Sequence, residues 1–386
     1  MSHKTIAVLY DHFFPGYKAG GPIQSLVNMI ISLQNQYEFK VVTTAYDLNE
    51  TVAYKNVQTN SWNQVTLQEG SAPVQVWYGA DKQISLKQMK QVLSEAQPDV
   101  IFINGLYTSF FTQPLLLKRI GVLAHTKLII SARGMLQQGA LNVKPLKKKI
   151  FLTLFKVFGL FKNIAWHATD EQEVKDIQAL INSSLVPITI APNVPKRPLA
   201  SFKLPAKKIG ELNLVYLSII TKKKNLDQLL RVLQLVNAPI SLTIYGPQKE
   251  AGYWQFCQQF IREMPKHVQV KYKGDVEPQL VQQTLEQYHA LILLTQGENF
   301  GHALYESLSV GRPIITSTFT PWQRLEQQQA GWNLSLNDDA RIALVLQQIA
   351  NMNEASFHAY CEGAWQVANN YYNNAGFAKS YQQLFA

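Results

Sequence analysis

The stretch LILLTQGENFGHALYESLSVGRPIITS, residues 291–317, sets how the rest of the chain is read. An apolar run of strand length, 290–294, stops at Thr295-Gln296-Gly297. A polar loop, Glu298-Asn299-Phe300-Gly301, follows it. Ala303, Leu304, Leu308 and Val310 then take helical spacing until Gly311 and Pro313 end the helix, and Ile314-Ile315 opens another strand. The spacing predicts strand, loop, helix and strand, with a glycine where the helix begins. That geometry suits an anion, because the first helical turn leaves backbone N–H groups unpaired and the helix dipole adds positive charge. Gly301 has no Cβ, so a phosphate can approach its backbone. Glu306, later on the helix, can accept hydrogen bonds from a ribose, and Glu298 in the loop is free to face a sugar. The expected ligand is a sugar nucleotide with its diphosphate at the helix start.

The bare spacing E-x7-E carries little, since the chain repeats it at Glu354 and Glu362 without a glycine loop or a preceding strand. The context of Glu298 and Glu306 carries more, because ligands of open α/β sheets bind at strand ends. A core helix with two solvated glutamates would leave the polar Glu-Asn-Phe-Gly loop unexplained. The letters E-N-F-G-x-x-x-x-E-S-L-x-x-G-x-P-I-I, followed by Thr320-Pro321-Trp322, resemble the signature of the retaining nucleotide-sugar glycosyltransferases of family 4. The resemblance implies an α/β GT-B fold: two Rossmann-like, doubly wound parallel-sheet domains facing across a cleft that holds the active site. It covers nearly the whole chain and is densest over 290–322 and around Lys224. On it, Glu298, Asn299, Phe300, Gly301, His302, Ala303 and Glu306 become donor-binding candidates.

Composition bounds the rest. At 386 residues and 47% apolar content, two domains with full cores are expected. The two cysteines, Cys257 and Cys361, are too few for a disulfide framework and lack metal-ligand spacing, which points to a reducing compartment. The N-terminus reads as a short strand rather than a signal peptide, and no run approaches the roughly 18 apolar residues of a membrane span. A cytoplasmic location is therefore expected. The net charge of +10 is uneven: residues 100–169 hold ten Lys or Arg and no Asp or Glu. Such a field attracts nucleic acid, anionic lipid or phosphorylated substrate, and charge alone does not choose among them.

In the first half, strands are expected over 5–10, 39–44, 74–78, 100–103, 127–131, 164–168 and 187–191. Helical patterns cover 85–95, 108–123 and 170–181, and the alternation implies a parallel sheet. Gly20-Gly21, between the first strand and its helix, permits close backbone approach to a ligand or makes a plain tight turn. In the resembled family this loop faces the donor phosphates. Arg133 stands where many members have a sugar-facing histidine; it is a candidate for a phosphate or an acidic acceptor group, or else bonds loop carbonyls. Over 144–162, Lys144, Lys147, Lys148, Lys149, Lys156 and Lys162 interleave with apolar residues. Nine of these lie between Ile150 and Phe161, more than one buried face needs. Lysines can snorkel while such a face enters a membrane, although an ordinary domain helix would look similar.

Proline and lysine over 196–211 read as an interdomain linker. The second half restarts with a strand over 212–217, then Lys222-Lys223-Lys224 before a helix, where a lysine can clamp a diphosphate. In the resembled family an arginine and a lysine do so. Lys224 matches the lysine, but Ile219 holds the arginine's place, so Lys222, Lys223 or Arg133 would have to substitute. Strands over 240–245 and 268–272 follow; in the family a loop like Gly274 to Val276 meets the base through its backbone. A strand over 332–334, a helix from Asp338 and a long aromatic helical region over 356–385 complete the chain. The resemblance implies an acceptor-side domain over 1–195, a donor-binding domain over 196–371, and a C-terminal helix, about 372–386, packing back onto the first.

The resemblance also implies the reaction: transfer of a sugar from a nucleotide-diphosphate donor to a glycan or lipid-linked acceptor, with retention and without a metal, in surface polysaccharide synthesis. Glu298, Lys224 and Arg133 are its candidate catalytic residues, and no cofactor is expected beyond the donor substrate. The expected partners are a nucleotide sugar, a glycan or polyprenyl-diphosphate-linked acceptor and an anionic membrane surface at 144–162, on the inner face of the plasma membrane. A glycoside hydrolase fits worse: on one straight helix the two glutamates' Cα atoms would be about 12 Å apart, against carboxyl spacings of about 5–9.5 Å. A sugar-nucleotide epimerase is the nearer rival. Nucleic-acid binding lacks any supporting motif, and Ile219 leaves room for an inactive scaffold.

Overall fold

The structure is a computed structural model that describes residues 4–137, 141, 145–181 and 186–386; Lys144 lies outside the described residues. The chain forms two units, residues 1–194 with 376–386, and residues 195–375. In the first unit the order is β1 (Lys4–Leu9), α1 (Gly21–Leu33), β2 (Tyr37–Thr44), β3 (Trp62–Val65), β4 (Val74–Gly79), α2 (Leu86–Ala96), β5 (Val100–Asn104), α3 (Ser109–Arg119), β6 (Lys127–Ser131), α4 (Pro145–Val157), β7 (Ala165–Ala168), α5 (Glu171–Ile181) and β8 (Ile188–Ile190). The sheet runs β3-β4-β2-β1-β5-β6-β7-β8, parallel except for the edge strand β3. Helices cover both faces, which is why the central strand VIFIN is buried throughout. Along β1, Ala7 and Leu9 enter one apolar cluster while Ile6 and Val8 enter the other, following the pleat. Chain order reverses between β1 and β5, so a topological switch point opens at their carboxyl ends.

The second unit repeats this plan. Its elements are β9 (Leu212–Leu217), α6 (Leu226–Leu233), β10 (Ile240–Tyr245), α7 (Ala251–Arg262), β11 (Val268–Tyr272), α8 (Val281–Leu285), β12 (Ala290–Leu293), α9 (His302–Ser309), β13 (Ile314–Ser317), β14 (Gly331–Leu334), α10 (Asp339–Ala350) and α11 (Glu354–Asn374). The sheet is β11-β10-β9-β12-β13-β14, and here the order reverses between β9 and β12. Asp338 starts α10 by accepting a hydrogen bond from the Arg341 N–H at 2.8 Å.

Three segments differ from their sequence reading. The helix expected over 108–123 stops at Arg119, and Gly121 turns the chain at φ 84°. There the Lys118 ammonium donates to the carbonyls of Leu123, Ala124 and Thr126. The segment 196–211 is no free tether. Its Lys207 is buried and donates to Ala350 O at 2.7 Å and Lys208 O at 2.8 Å, Leu199 O accepts from Trp365 Nε1, and Phe202 packs on the core. The C-terminal region is two helices, because Gly376 takes a left-handed φ of 60° after α11.

The last helix, α12 (Phe377–Phe385), belongs to the first unit. Phe385 is fully buried, with ring centroids 5.4 Å from Tyr37, 5.9 Å from Phe102 and 6.4 Å from Phe39. Lys4 and Lys127 reach its last carbonyls, where the helix dipole favours a cation. Truncating Phe385 to Ala should cost about 3–5 kcal/mol. Urea unfolding followed by circular dichroism should show it, and a loss under about 1 kcal/mol would mean that α12 is no part of this core.

Candidate functional site

In the second unit the two strands flanking the switch point carry the candidate residues. β9 pairs with β12 in parallel, Leu214 beside Ala290 and Val215 beside Leu291, so their carboxyl ends lie together. After β9 the chain makes a short 3-10 turn, Lys222–Lys224, and enters α6 through Asn225 in the left-handed region. After β12 it runs through Glu298 and Asn299 into α9, with Gly301 at φ 77° before the first helical residue, His302. The two loops are stitched together: the Lys223 carbonyl accepts from the Gln296 N–H at 2.9 Å and from the Thr295 hydroxyl at 3.4 Å. The Glu298 N–H donates to Phe319 O at 3.1 Å.

These constraints bring Lys224 and Glu298 into a short ion pair, with side chains 20% and 11% exposed. Phe300, read as a donor contact, turns its ring into a buried aromatic cluster with Tyr305, Trp322 and Tyr371. Its carbonyl accepts from Trp322 Nε1 at 2.7 Å. The ring therefore anchors the loop. His302 packs edge-on against Phe300, and Asn299, Gly301 and Ala303 are half-buried. Gly274, at φ 74°, has open space where a Cβ would sit, and its carbonyl accepts from the Gly246 N–H. Val276 packs against the core beside that turn.

Glu306 is the electrostatic outlier. Six of the eight residues of α9 are buried, Glu306 among them. Burial pushes its carboxyl up from the ordinary 4.5 to about 7, with the Lys196 charge opposing. Near neutral pH it is poised between the acid and the carboxylate, and a ligand that donates hydrogen bonds to it favours the ionised form.

The first unit presents its own polar cluster at the carboxyl ends of its strands. Gly20, at φ 75°, precedes α1, with Gly21 and Pro22 in the first turn. The loop leading there is held by Asp47, whose carboxylate accepts from the backbone N–H groups of Tyr17 and Lys18. Arg133 adopts a left-handed φ of 51°. Its Nε donates to Asn104 Oδ1 at 2.7 Å, and its Nη1 donates to Asn193 Oδ1 and, at 3.2 Å, to Ser25 Oγ. These acceptors are side chains, not the loop carbonyls of the alternative reading. Its Nη2 is buried near the Tyr381 hydroxyl without a well-formed hydrogen bond. Glu173 is almost wholly buried and accepts from the N–H groups of Gly134 and Thr169, fixing the turn after Arg133. His167 is neutral, its pKa pushed down to about 3 by burial and then by Arg133. Its Nε2 donates to Ala191 O and its Nδ1 accepts from Ser131 Oγ.

Asn104, Glu173 and Asp47 carried no signal in the sequence beyond lying near strand ends, and Ser25, inside α1, carried none. Among the described residues no group of three or more His, Cys, Asp or Glu is placed to hold a metal ion.

Residues 201–356, within the second unit, match the family model "Glycosyl transferases group 1". No curated protein matches the chain. Solved structures do: sucrose-phosphate synthase from Thermosynechococcus elongatus is 14% identical at TM-score 0.72, covering 99% of this chain and 98% of that one. HepE of Anabaena, solved with UDP and glucose, is 14% identical at TM-score 0.68, covering 99% and 98%. WaaG, a glycosyltransferase involved in lipopolysaccharide biosynthesis, is 12% identical at TM-score 0.64, covering 98% of each. At these identities the likeness establishes the fold, which is GT-B.

The raised pKa of Glu306 has a consequence for stability. The folded chain binds this proton more tightly than the unfolded chain, so the group's contribution is fully present below about 4.5 and is lost as pH rises to about 7. Glu306→Gln cannot titrate and should remove that slope. Between pH 4.5 and 8 the wild type should lose about 2–3 kcal/mol more than the variant in urea unfolding. Parallel pH profiles of the two proteins would mean that the carboxyl titrates normally.

Proposed function

We propose that the protein is a glycosyltransferase that moves a sugar from a nucleotide-diphosphate donor to a glycan or lipid-linked acceptor. The observation that carries this reading is the Lys224–Glu298 pair at the switch point of the second unit, beside a helix begun by Gly301. A cation, a carboxylate and a row of helix-start N–H groups converge where an open α/β sheet holds its ligand. The family-model match over 201–356 supports the same chemistry.

Each residue then has a task. The start of α9 and Lys224 take the diphosphate and stabilise it as it leaves, which is the electrostatic part of catalysis. Glu306 accepts the ribose hydroxyls, and burial makes each such bond count, because an unpaired carboxylate there is costly. Glu298 faces the transferred sugar, and the turn at Gly274 to Val276 lies along the base. Retention of anomeric configuration, catalysis without a metal and a phosphate or acidic acceptor group near Arg133 belong to this reading as expectations from the resemblance. Glu306→Gln should weaken nucleotide binding about tenfold or more with little further loss of turnover, whereas Glu298→Gln should lose turnover far more than nucleotide affinity. Equal losses of nucleotide affinity in calorimetry would overturn this division of roles.

The acceptor's place is read from α4. Phe151, Leu152 and Phe155 turn inward, toward Phe111. Leu146, Ile150, Leu154, Val157 and Phe158 stay exposed, from 48% to 74%. At i, i+4, i+8, i+11 and i+12 they form one stripe, flanked by the exposed Lys147, Lys149 and Lys162. The stripe continues toward the exposed Ile120, since Arg119 donates to Phe158 O. Among the described residues no helix is long and apolar enough to cross a membrane. The stripe suits a helix lying in an anionic membrane surface, attracted by about 1 kcal/mol per basic residue, where a polyprenyl-diphosphate-linked acceptor in surface polysaccharide synthesis would reside. Liposome flotation should show binding that needs anionic lipid and fades with salt, and changing Lys147 and Lys149 to Glu should abolish it. Flotation unaffected by that change, or equal on neutral lipid, would leave α4 as an ordinary domain helix.

A further inference from the structure

β2 starts earlier than its neighbour β4. It pairs with β1 from Tyr37 onward, but with β4 only from Lys40 onward. The first three residues of β2 therefore have a strand on one side and none on the other. A cavity of about 450 Å³ opens there, at the amino ends of β2 and β4. It lies wholly in the first unit, at the end of the sheet opposite the switch point between β1 and β5. Its size falls within the range of small-ligand sites, about 300–1,000 Å³.

The lining is polar, uncharged for the most part, and largely uncommitted. Gln64 and Gln75 stand opposite each other in the β3–β4 pair, so their amides project from the same side of the sheet. Among the described residues neither amide makes a hydrogen bond. Gln34 reaches the cavity from the end of α1, and its Oε1 is buried without a partner. The Tyr37 ring is held edge-on by Phe39 and Phe385, with centroids 6.2 and 5.4 Å away, while its hydroxyl makes no hydrogen bond among the described residues. Glu38 accepts from the Thr5 hydroxyl at 3.3 Å and faces Lys40 Nζ at 3.5 Å.

These groups select a ligand class. Among the described residues no Lys or Arg lines the cavity, although the chain carries a net charge of +10. Nothing there would hold a phosphate, a sulfate or a nucleic acid. A peptide adding as a strand would meet only three unpaired residues of β2. Amides both donate and accept, and with a phenol and a carboxylate they match the hydroxyls on neighbouring carbons of a sugar ring. Tyr37 and Pro73 supply apolar surface for its C–H groups. We propose that this cavity is an auxiliary glycan-binding site for a short neutral stretch of oligosaccharide, distinct from the polar cluster at the strands' carboxyl ends. It does not depend on the donor reading, since none of its residues belongs to that site.

The test is ligand-detected NMR on the full chain, titrated with cellohexaose, maltohexaose, laminarihexaose and chitohexaose in turn. At least one should bind, with a Kd of about 1 mM. Changing Gln64 and Gln75 together to Ala should weaken that binding about tenfold, and Tyr37→Phe, which keeps the ring packing, about three- to fivefold. Lys266→Gln, at an exposed position in the second unit, should leave it unchanged. Gln64 is exposed and Gln75 half-buried, so circular dichroism should find the variants folded. If no hexasaccharide bound, or if the folded cavity variants bound it as the wild type does, the proposal would fall. Affinity for the donor nucleotide should be the same in every variant, so either failure would leave the donor reading standing.

Discussion

The parallel pairing of β9 with β12 is the constraint on which the second unit's chemistry depends. It sets side by side two strands whose following loops lie 74 residues apart in sequence, and so joins Lys224 to Glu298. Neither side chain is fully exposed, and a partly desolvated ion pair is weak evidence for stability, since desolvation offsets much of the attraction. Its value is positional. The pair, the Lys223 carbonyl that holds the opposite loop and the left-handed glycine before α9 fix one geometry at the switch point. A one-residue slip of either strand would turn its side chains to the other face and break all of these contacts.

Most strands were legible because buried parallel strands are short apolar runs closed by turn residues, as over 212–217, 240–245 and 268–272. Boundaries failed where a glycine was outweighed by the pattern around it. Gly376 is the local mark of the break, but aromatic residues at helical spacing on both sides of it read as one helix. α7, with only Trp254 and Cys257 buried, has too narrow an apolar stripe to stand out. Lys207 reads as a solvated linker charge, yet its ammonium ends among carbonyls at the end of α10 and pins the segment down.

The site shows the same division. The sequence marks Glu298, Gly301 and Glu306 by a glycine loop at a strand end, and it marks Lys224 by its place before a helix. It does not reveal that α9 is buried on almost every side, which turns Glu306 from a surface carboxylate into one with a pKa near neutrality. Nor does it reveal the bracing of Arg133. That guanidinium reads as a candidate for a phosphate or an acidic acceptor group, or as one bonding loop carbonyls, but Asn104, Ser25 and Asn193 come to it from three separate segments. Such acceptors are far apart in sequence and of common type, so only the sheet order puts them together.

Arg133 and Lys224 together show why charge counts from sequence mislead about sites. Residues 100–169 hold the greatest excess of positive charge, yet Arg133 gives two of its three nitrogens to side chains of its own unit and Lys148 lies over the Tyr107 ring, 5.4 Å from its centre. The cations left to act on surroundings there are the exposed ones along α4, beside an apolar stripe. In the second unit the lysine that matches an expected position is neutralised by its own glutamate. An ion's availability depends on what already faces it. Burial and hydrogen bonding decide which charge is structural and which remains to meet a ligand.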